Sequence, residues 1–193
     1  MFLFTLLLIT FIFDNINAKE ELSMDSEMNN RPYYAAYLQD GSCILRSPST
    51  PNEWATYHTI RQMEIVNRYC PKDYVYNAND PEELMPTNYR FVFVDTALSK
   101  GQVVGVIRVD LLKDQESSIR WVAIASEHQG KRYGTKMLTL VEQFVQIHGK
   151  RLIRVPAEEA SKAFYQNVGF VPMDWPDAPQ NDGNVFLSKV ITG

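Results

Sequence analysis

Residues 120–148 constrain this chain more than any other segment. Arg120-Trp121-Val122-Ala123-Ile124 is a largely apolar, strand-like run, and Ser126–Thr135 is a turn with two glycines, Gly130 and Gly134, and two cations, Lys131 and Arg132. Tyr133–His148 then has the period of an amphipathic helix, with Leu138, Val141, Phe144, Val145 and His148 on one face. A buried strand feeding a long helix through a short turn calls for a layered α/β arrangement. It also has a chemical consequence. The first amides of a helix have no partner within it and carry partial positive charge, so the helix start attracts phosphate oxygens. Glycine lets backbone amides approach an anion without a Cβ in the way. The loop reads either as an anion site suited to a pyrophosphate or as an ordinary solvated connection. It is not a P-loop, because Lys131 is not followed by Ser or Thr, and it lacks the three spaced glycines of the dinucleotide fingerprint.

The flanking elements fill in the architecture. Ser42–Arg46 is a short strand. Thr50-Pro51-Asn52-Glu53 combines a capping hydroxyl, a proline at the first helical position and a carboxylate three residues after the cap. The helix it opens runs to about Tyr69, with Trp54, Tyr57, Ile60 and Ile65 inward, and Cys70-Pro71 stops it. Residues 71–88 form a long loop. Tyr89–Asp95, Gln102–Leu111 and Ser117–Ala125 are strands of an antiparallel meander, separated by Ser99-Lys100-Gly101 and Lys113-Asp114-Gln115. After the long helix come a strand at Arg151–Val155, a helix at Ala157–Asn167 closed by Gly169, and strands at Phe170–Met173 and Asn184–Ile191. The expected order is β-α-loop-β-β-β-α-β-α-β-β, a mixed, mostly antiparallel central sheet flanked by helices.

The chain has 193 residues, which suits one globular domain. We expect it over 31–193, preceded by an apolar leader and flexible segment over 1–30, with 19–40 reading as a linker. Met1–Phe13 is almost continuously apolar and Ala18 offers a small residue for cleavage, but no Lys or Arg precedes the run. It is also short of the about 20 apolar residues that span a bilayer. Two readings stand: a signal peptide over Met1–Ala18, giving a secreted protein, or translation starting later, at Met24 or Met28. Apart from this leader we expect no membrane partner. The formal charge of −4 argues against a nucleic-acid partner. Cys43 and Cys70 read as reduced structural thiols, and with three scattered histidines they give no metal-binding pattern.

Taken with its flanks, Gln129-Gly130-Lys131-Arg132-Tyr133-Gly134 resembles the acetyl-CoA motif [QR]-x-x-G-x-[GA] of the GNAT family of N-acetyltransferases. Ala163-Phe164-Tyr165-Gln166-Asn167-Val168-Gly169-Phe170 resembles the family's second motif, and Trp54–Arg61 the first helix of some members. The resemblance covers roughly residues 42–190 and implies the acyl-CoA N-acyltransferase (GNAT) fold. It implies transfer of an acetyl group from acetyl-CoA to a primary amine, on a small molecule or a protein, by direct transfer in a ternary complex. A cytoplasmic location follows from the intracellular supply of that donor. The alternatives on the same fold are a non-catalytic acyl-CoA-binding sensor and an exported scaffold.

By the same resemblance, the backbone of Val122, Ala123 and Ile124 pairs with the pantetheine arm. Gln129, Gly130, Lys131, Arg132, Tyr133, Gly134 and Thr135 form the pyrophosphate loop, and Tyr165 is the general acid at the sulfur. No metal is implied. Arg132 replaces the family's first loop glycine, so a positive φ there carries a steric cost. The positions of the family's glutamate bases hold Ser118 and Ile153. Glu116, Asp110, Glu127 and His128 are the candidate substitutes, and Glu158 stands where many members carry asparagine. Asp73, Asp80, Glu82 and Glu83 give the 71–88 loop an acidic character suited to a cationic acceptor.

Overall fold

The structure is a computed structural model that describes residues 33–98, 101–176 and 183–192. The leader Met1–Ala18 and the turn residues Ser99 and Lys100 lie outside the described residues. The strands are β1 (Ala35–Tyr37), β2 (Cys43–Arg46), β3 (Asn88–Asp95), β4 (Gln102–Leu111), β5 (Glu116–Ile124), β6 (Leu152–Glu158), β7 (Val171–Pro172) and β8 (Asn184–Val190). They form one sheet in the order β1-β2-β3-β4-β5-β6-β8-β7. Every pairing is antiparallel except β5 with β6. The mixed, mostly antiparallel sheet expected from the sequence is therefore found. β1 lies inside the segment read as a linker. Its Ala-Ala-Tyr is too short to show alternation and is defined by its pairing with β2, Ala36 opposite Leu45.

Helix α1 (Pro51–Arg61) begins as the capping residues predict, with Thr50 Oγ1 accepting from the Glu53 amide at 3.2 Å. Glu53 does not complete a reciprocal box. It accepts from the Ser49 amide at 2.8 Å and pairs with Arg46 of β2, pinning the helix start to the sheet. The helix widens into a π-helical turn at Gln62–Val66 before a last α-turn at Asn67–Tyr69. Helix α2 (Tyr133–Ile147) follows the glycine turn, and α3 (Lys162–Asn167) follows β6 after a 3-10 turn at Glu159–Ser161.

The two faces of the sheet carry different layers. Alternation along β3 sends Phe91 and Phe93 to the α2 side, where they meet Met137, Leu138, Val141, Phe144 and Val145 in the main core. Val92 and Val94 point the other way, to Tyr57 and Ile60 of α1 in a smaller core with Val106, Ala123 and Ala125. His148, expected on the buried face of α2, is exposed, and its Nδ1 lies 2.8 Å from the Phe144 carbonyl at the end of the helix. Helix α1 carries a residue that the apolar pattern does not reveal: Arg61 is only 2% exposed.

Candidate active site

Two departures from regular pairing open the sheet. Between β4 and β5 the register passes from Val106 opposite Ala123 to Arg108 opposite Arg120. Trp121 and Val122 thus share the single partner position Ile107, a two-against-one bulge. Trp121 sits at φ 54°, outside the usual range for a bulky residue. The extra residue flips the alternation. Ile119 belongs to the α2-side core, whereas Ala123, four residues on, belongs to the α1-side core. Gly105 makes close strand contact possible here, since a Cβ on it would lie 2.6 Å from Ile124 Cδ1 and 2.9 Å from the Ala123 carbonyl oxygen. The second departure lies between β5 and β6. Their parallel pairing runs only from Glu116–Leu152 to Ser118–Arg154. Beyond it the strands diverge, leaving the 119–124 edge of β5 and the 155–158 edge of β6 on opposite walls of a cleft.

The turn that follows β5 is tied down by a residue far away in sequence. Glu64, in the π-helical turn, accepts from the Ser126 amide at 3.0 Å, the Ser126 hydroxyl at 2.6 Å and Gln129 Nε2 at 3.2 Å. Gln129 Nε2 also donates to the Ile124 carbonyl at 2.9 Å, and Arg68 closes the group on Glu64 at 2.8 Å. The turn then delivers Gly130 at φ 75° and Arg132 at φ 62°, both left-handed. Arg132 is the N-cap residue of α2 and no side chain caps this helix, so its first amides are left without a capping partner. Arg132 thus takes the positive φ that carries a steric cost for a residue with a Cβ. An L-residue held there costs about 1–2 kcal/mol, which glycine would not incur. Arg132→Gly is therefore expected to raise the melting temperature of the ligand-free protein by about 2–8 °C, read in a thermal melt.

The cleft encloses a cavity of about 630 Å³. Of the residues singled out in the sequence, Val122, Ala123, Ile124, Gln129, Gly130, Arg132, Tyr133, Gly134, Thr135 and Tyr165 all line it. Lys131 does not, and its Nζ donates to the Glu127 carbonyl at 3.1 Å. Tyr133 borders the cavity with its hydroxyl committed to Asp95. That hydrogen bond, with burial and the charge of Asp95, pushes the phenol up to about 12. Tyr165 is 5% exposed, and burial raises its pKa above the ordinary phenol value. Its ring packs edge-on against Phe164 and Phe170, and its hydroxyl makes no hydrogen bond among the described residues. A Cβ on Gly134 would lie 3.0 Å from the Phe164 ring, so this glycine lets the helix start and α3 close on one another.

The substitute bases fare differently. Glu116 pairs with Arg154 at 2.7 Å at the closed end of the β5–β6 pair. Asp110 accepts two hydrogen bonds of 2.8 Å from Arg108 and lies 3.3 Å from Arg120. Glu127 is exposed and does not line the cavity. Of the four, only His128 lines it. His128 is 6% exposed, and neither ring nitrogen has a hydrogen-bond partner among the described residues.

None of Asp73, Asp80, Glu82 and Glu83, the acidic residues of the 71–88 loop, lines the cavity. Glu83, 3% exposed, accepts from both Arg61 Nη atoms at 2.8 and 3.1 Å and from Arg108. Glu82 reaches Arg108 at 3.3 Å, and Asp80 caps the 3-10 turn Pro81–Leu84. Burial alone would raise the Glu83 carboxyl, but the hydrogen bonds and charges of Arg61 and Arg108 outweigh it and hold the group below the ordinary range. Glu82 and Glu83 thus fasten the loop to the sheet. The Arg61 guanidinium also stacks 4.2 Å from the centre of the Trp121 ring, so the same cluster supports the bulge.

A helix start without a side-chain cap, a splayed parallel strand pair and a buried tyrosine line one cleft. Residues 53–170 match the profile of the Acetyltransferase (GNAT) family. Among solved structures, an aminoglycoside 6'-N-acetyltransferase complexed with coenzyme A is similar at 13% identity and TM-score 0.62, covering 77% of this chain and 97% of that one. A GNAT-family acetyltransferase from Staphylococcus aureus is similar at 14% identity and TM-score 0.61, over 78% and 99%. The ribosomal-protein-S18-alanine N-acetyltransferase of Escherichia coli is similar at 12% identity and TM-score 0.57, over 78% and 95%. The chain belongs to the GNAT acetyltransferase family. At these identities the neighbours speak for the fold. No helix of the described residues is long and apolar enough to cross a membrane.

Proposed function

We propose that the protein transfers an acetyl group from acetyl-CoA to a primary amine, on a small molecule or a protein, directly within a ternary complex. The observation that carries this reading is the placement of Tyr165. It is a buried phenol with an unused hydroxyl, lining the cleft that the splayed strands and the uncapped start of α2 share. Acetyl-CoA supplies the activated acyl group as a thioester. The residues present fit it: beyond Ser118 the β5 edge has no β6 partner, and the loop before α2 has free amides and an arginine.

The amides of Gly130–Thr135, with Arg132, hold the pyrophosphate. Val122, Ala123 and Ile124 offer backbone groups to the pantetheine amides, as an added strand would find them. A backbone N–H at this part of β5 polarises the carbonyl oxygen as the amine adds. The amine attacks in its neutral form, any ammonium proton having first gone to solvent; Tyr165 Oη gives its proton to the departing sulfur and regains the one that the nitrogen sheds as the amide forms. Burial keeps the phenol protonated until then, the state a general acid needs. Holding both reactants in one cleft supplies much of the acceleration.

On this reading Arg132→Gly, though more stable when free, binds acetyl-CoA more weakly, because a guanidinium is lost from the phosphate loop. The proposal is tested by incubating the protein with acetyl-CoA and a panel of primary amines, with release of free thiol and acetylated amine followed together. Their stoichiometric appearance supports transfer. Tight binding of acetyl-CoA without any product would instead make the protein an acyl-CoA sensor.

A further inference from the structure

Glu64 lines the cleft, and its side chain is 9% exposed. A carboxylate in that place can act as a base, hold a cation, or support its neighbours. Its hydrogen bonds decide among these. Oε1 accepts from the Ser126 amide at 3.0 Å and the Ser126 hydroxyl at 2.6 Å. Oε2 accepts from Gln129 Nε2 at 3.2 Å and pairs with Arg68 Nη2 at 2.8 Å. Four donors thus meet a group with about four acceptor positions, which leaves none for a ligand.

Gln129 is the other half of the contact. Its side-chain amide donates to the Ile124 carbonyl at 2.9 Å and to Glu64. Both partners only accept, so the NH2 end must face them and the side chain is fixed across the turn from 124 to 129. The turn has little to hold it by itself. It is a 3-10 helix of three residues, Ser126–His128, with the His128 amide bonded to the Ala125 carbonyl at 2.8 Å and the Gln129 amide to that of Ser126 at 3.2 Å. The chain leaves it straight into Gly130, Arg132 and the first amides of α2. How the turn enters therefore sets where those amides point. The hold comes from the other face of the sheet, through the π-helical segment Gln62–Val66 that carries Glu64, a geometry often found at functional sites.

We infer that Glu64 is a positioning residue for acetyl-CoA: acting through Gln129, it keeps the phosphate loop in its binding shape before the ligand arrives. This rests on the acetyl-CoA site of the proposed function and adds to it a residue outside both sequence motifs. A loop ordered in advance loses less freedom on binding, and that difference appears as affinity. Glu64→Gln keeps the shape of the side chain but puts an NH2 where an acceptor oxygen stood. Facing Gln129 and Arg68, it opposes donor to donor; turned about, it meets the Ser126 amide.

The test is a double-mutant cycle read by calorimetric titration with acetyl-CoA. In Glu64→Gln the Kd rises about ten-fold, the scale of one lost charge-assisted hydrogen bond. In a Gln129→Ala background, where the link to the loop is already cut, the same substitution changes the Kd by about three-fold or less. Glu64→Asp keeps the carboxylate and recovers part of the affinity; the cycle is run on it should Glu64→Gln fail to fold. Undiminished affinity in Glu64→Gln, even with a lowered melting temperature, makes the residue structural only and overturns the inference. Equal losses in the two backgrounds overturn it as well, and both results leave the acetyl-CoA site standing. An unaltered chain that binds no acetyl-CoA overturns that site, and the positioning role with it.

Discussion

Glu83→Ala is expected to lower the unfolding free energy by about 3–5 kcal/mol, the range for removing one partner of a buried ion pair. Glu83 is the shared acceptor of Arg61 and Arg108, which are 2% and 1% exposed. Truncating it leaves two guanidinium groups desolvated, with Asp110 as the remaining deeply buried carboxylate of the cluster. The loss is a large fraction of the about 5–15 kcal/mol by which a domain is usually stable. A urea titration reads it as a lower midpoint at unchanged slope. Glu83→Gln keeps an acceptor for one arginine but not the charge, and should fall between the two. A loss below about 1 kcal/mol for the alanine variant would show that the cluster is solvated rather than sealed. The consequence reaches the site, because Arg61 also stacks on Trp121 at the bulge.

The second large effect concerns chemistry. Tyr165→Phe removes one hydroxyl from a ring packed between Phe164 and Phe170, so the fold and the affinity for acetyl-CoA should persist. The turnover number should fall by about 10²–10⁴-fold, the usual worth of a positioned proton donor. Single-turnover kinetics, with acetyl-CoA binding measured alongside, separate the two quantities. If Tyr165→Phe turned over as fast as the unaltered protein, proton delivery to the sulfur would have to come from elsewhere. His128 would be the first residue to test, as a cavity-lining imidazole without a hydrogen-bond partner among the described residues.

Much of the frame is legible in the residues because local signals agree there. Gln102–Leu111 reads as a strand with the bounds it has, and Thr50-Pro51 places the start of α1 where Thr50 caps it. The glycine turn before Tyr133 is visible for the same reason: glycine, cations and helix period coincide. What sequence reasoning misses depends on pairs distant in the chain. The bulge at Trp121 follows from how β5 meets β4, and no turn residue announces it. Glu64 looks like one more polar helix residue until the π-helical turn brings it against Ser126 and Gln129. Arg61, spaced four residues after Tyr57 on the inward face, is the one available hint that a charge lies under the helix and that the acidic loop must supply its partner. Glu158 is visible only as a departure from the family's asparagine.

Calorimetric titration with acetyl-CoA tests the central claim most directly, using the unaltered chain alongside Gly134→Trp. A Cβ at residue 134 already meets the Phe164 ring at 3.0 Å, so an indole there must enter the cleft or displace Phe164. The account predicts binding in the micromolar range or tighter for the unaltered chain, lost in Gly134→Trp while the far-ultraviolet circular dichroism of the variant is retained. No heat of binding in the unaltered chain, or undiminished binding in a folded Gly134→Trp, would contradict it.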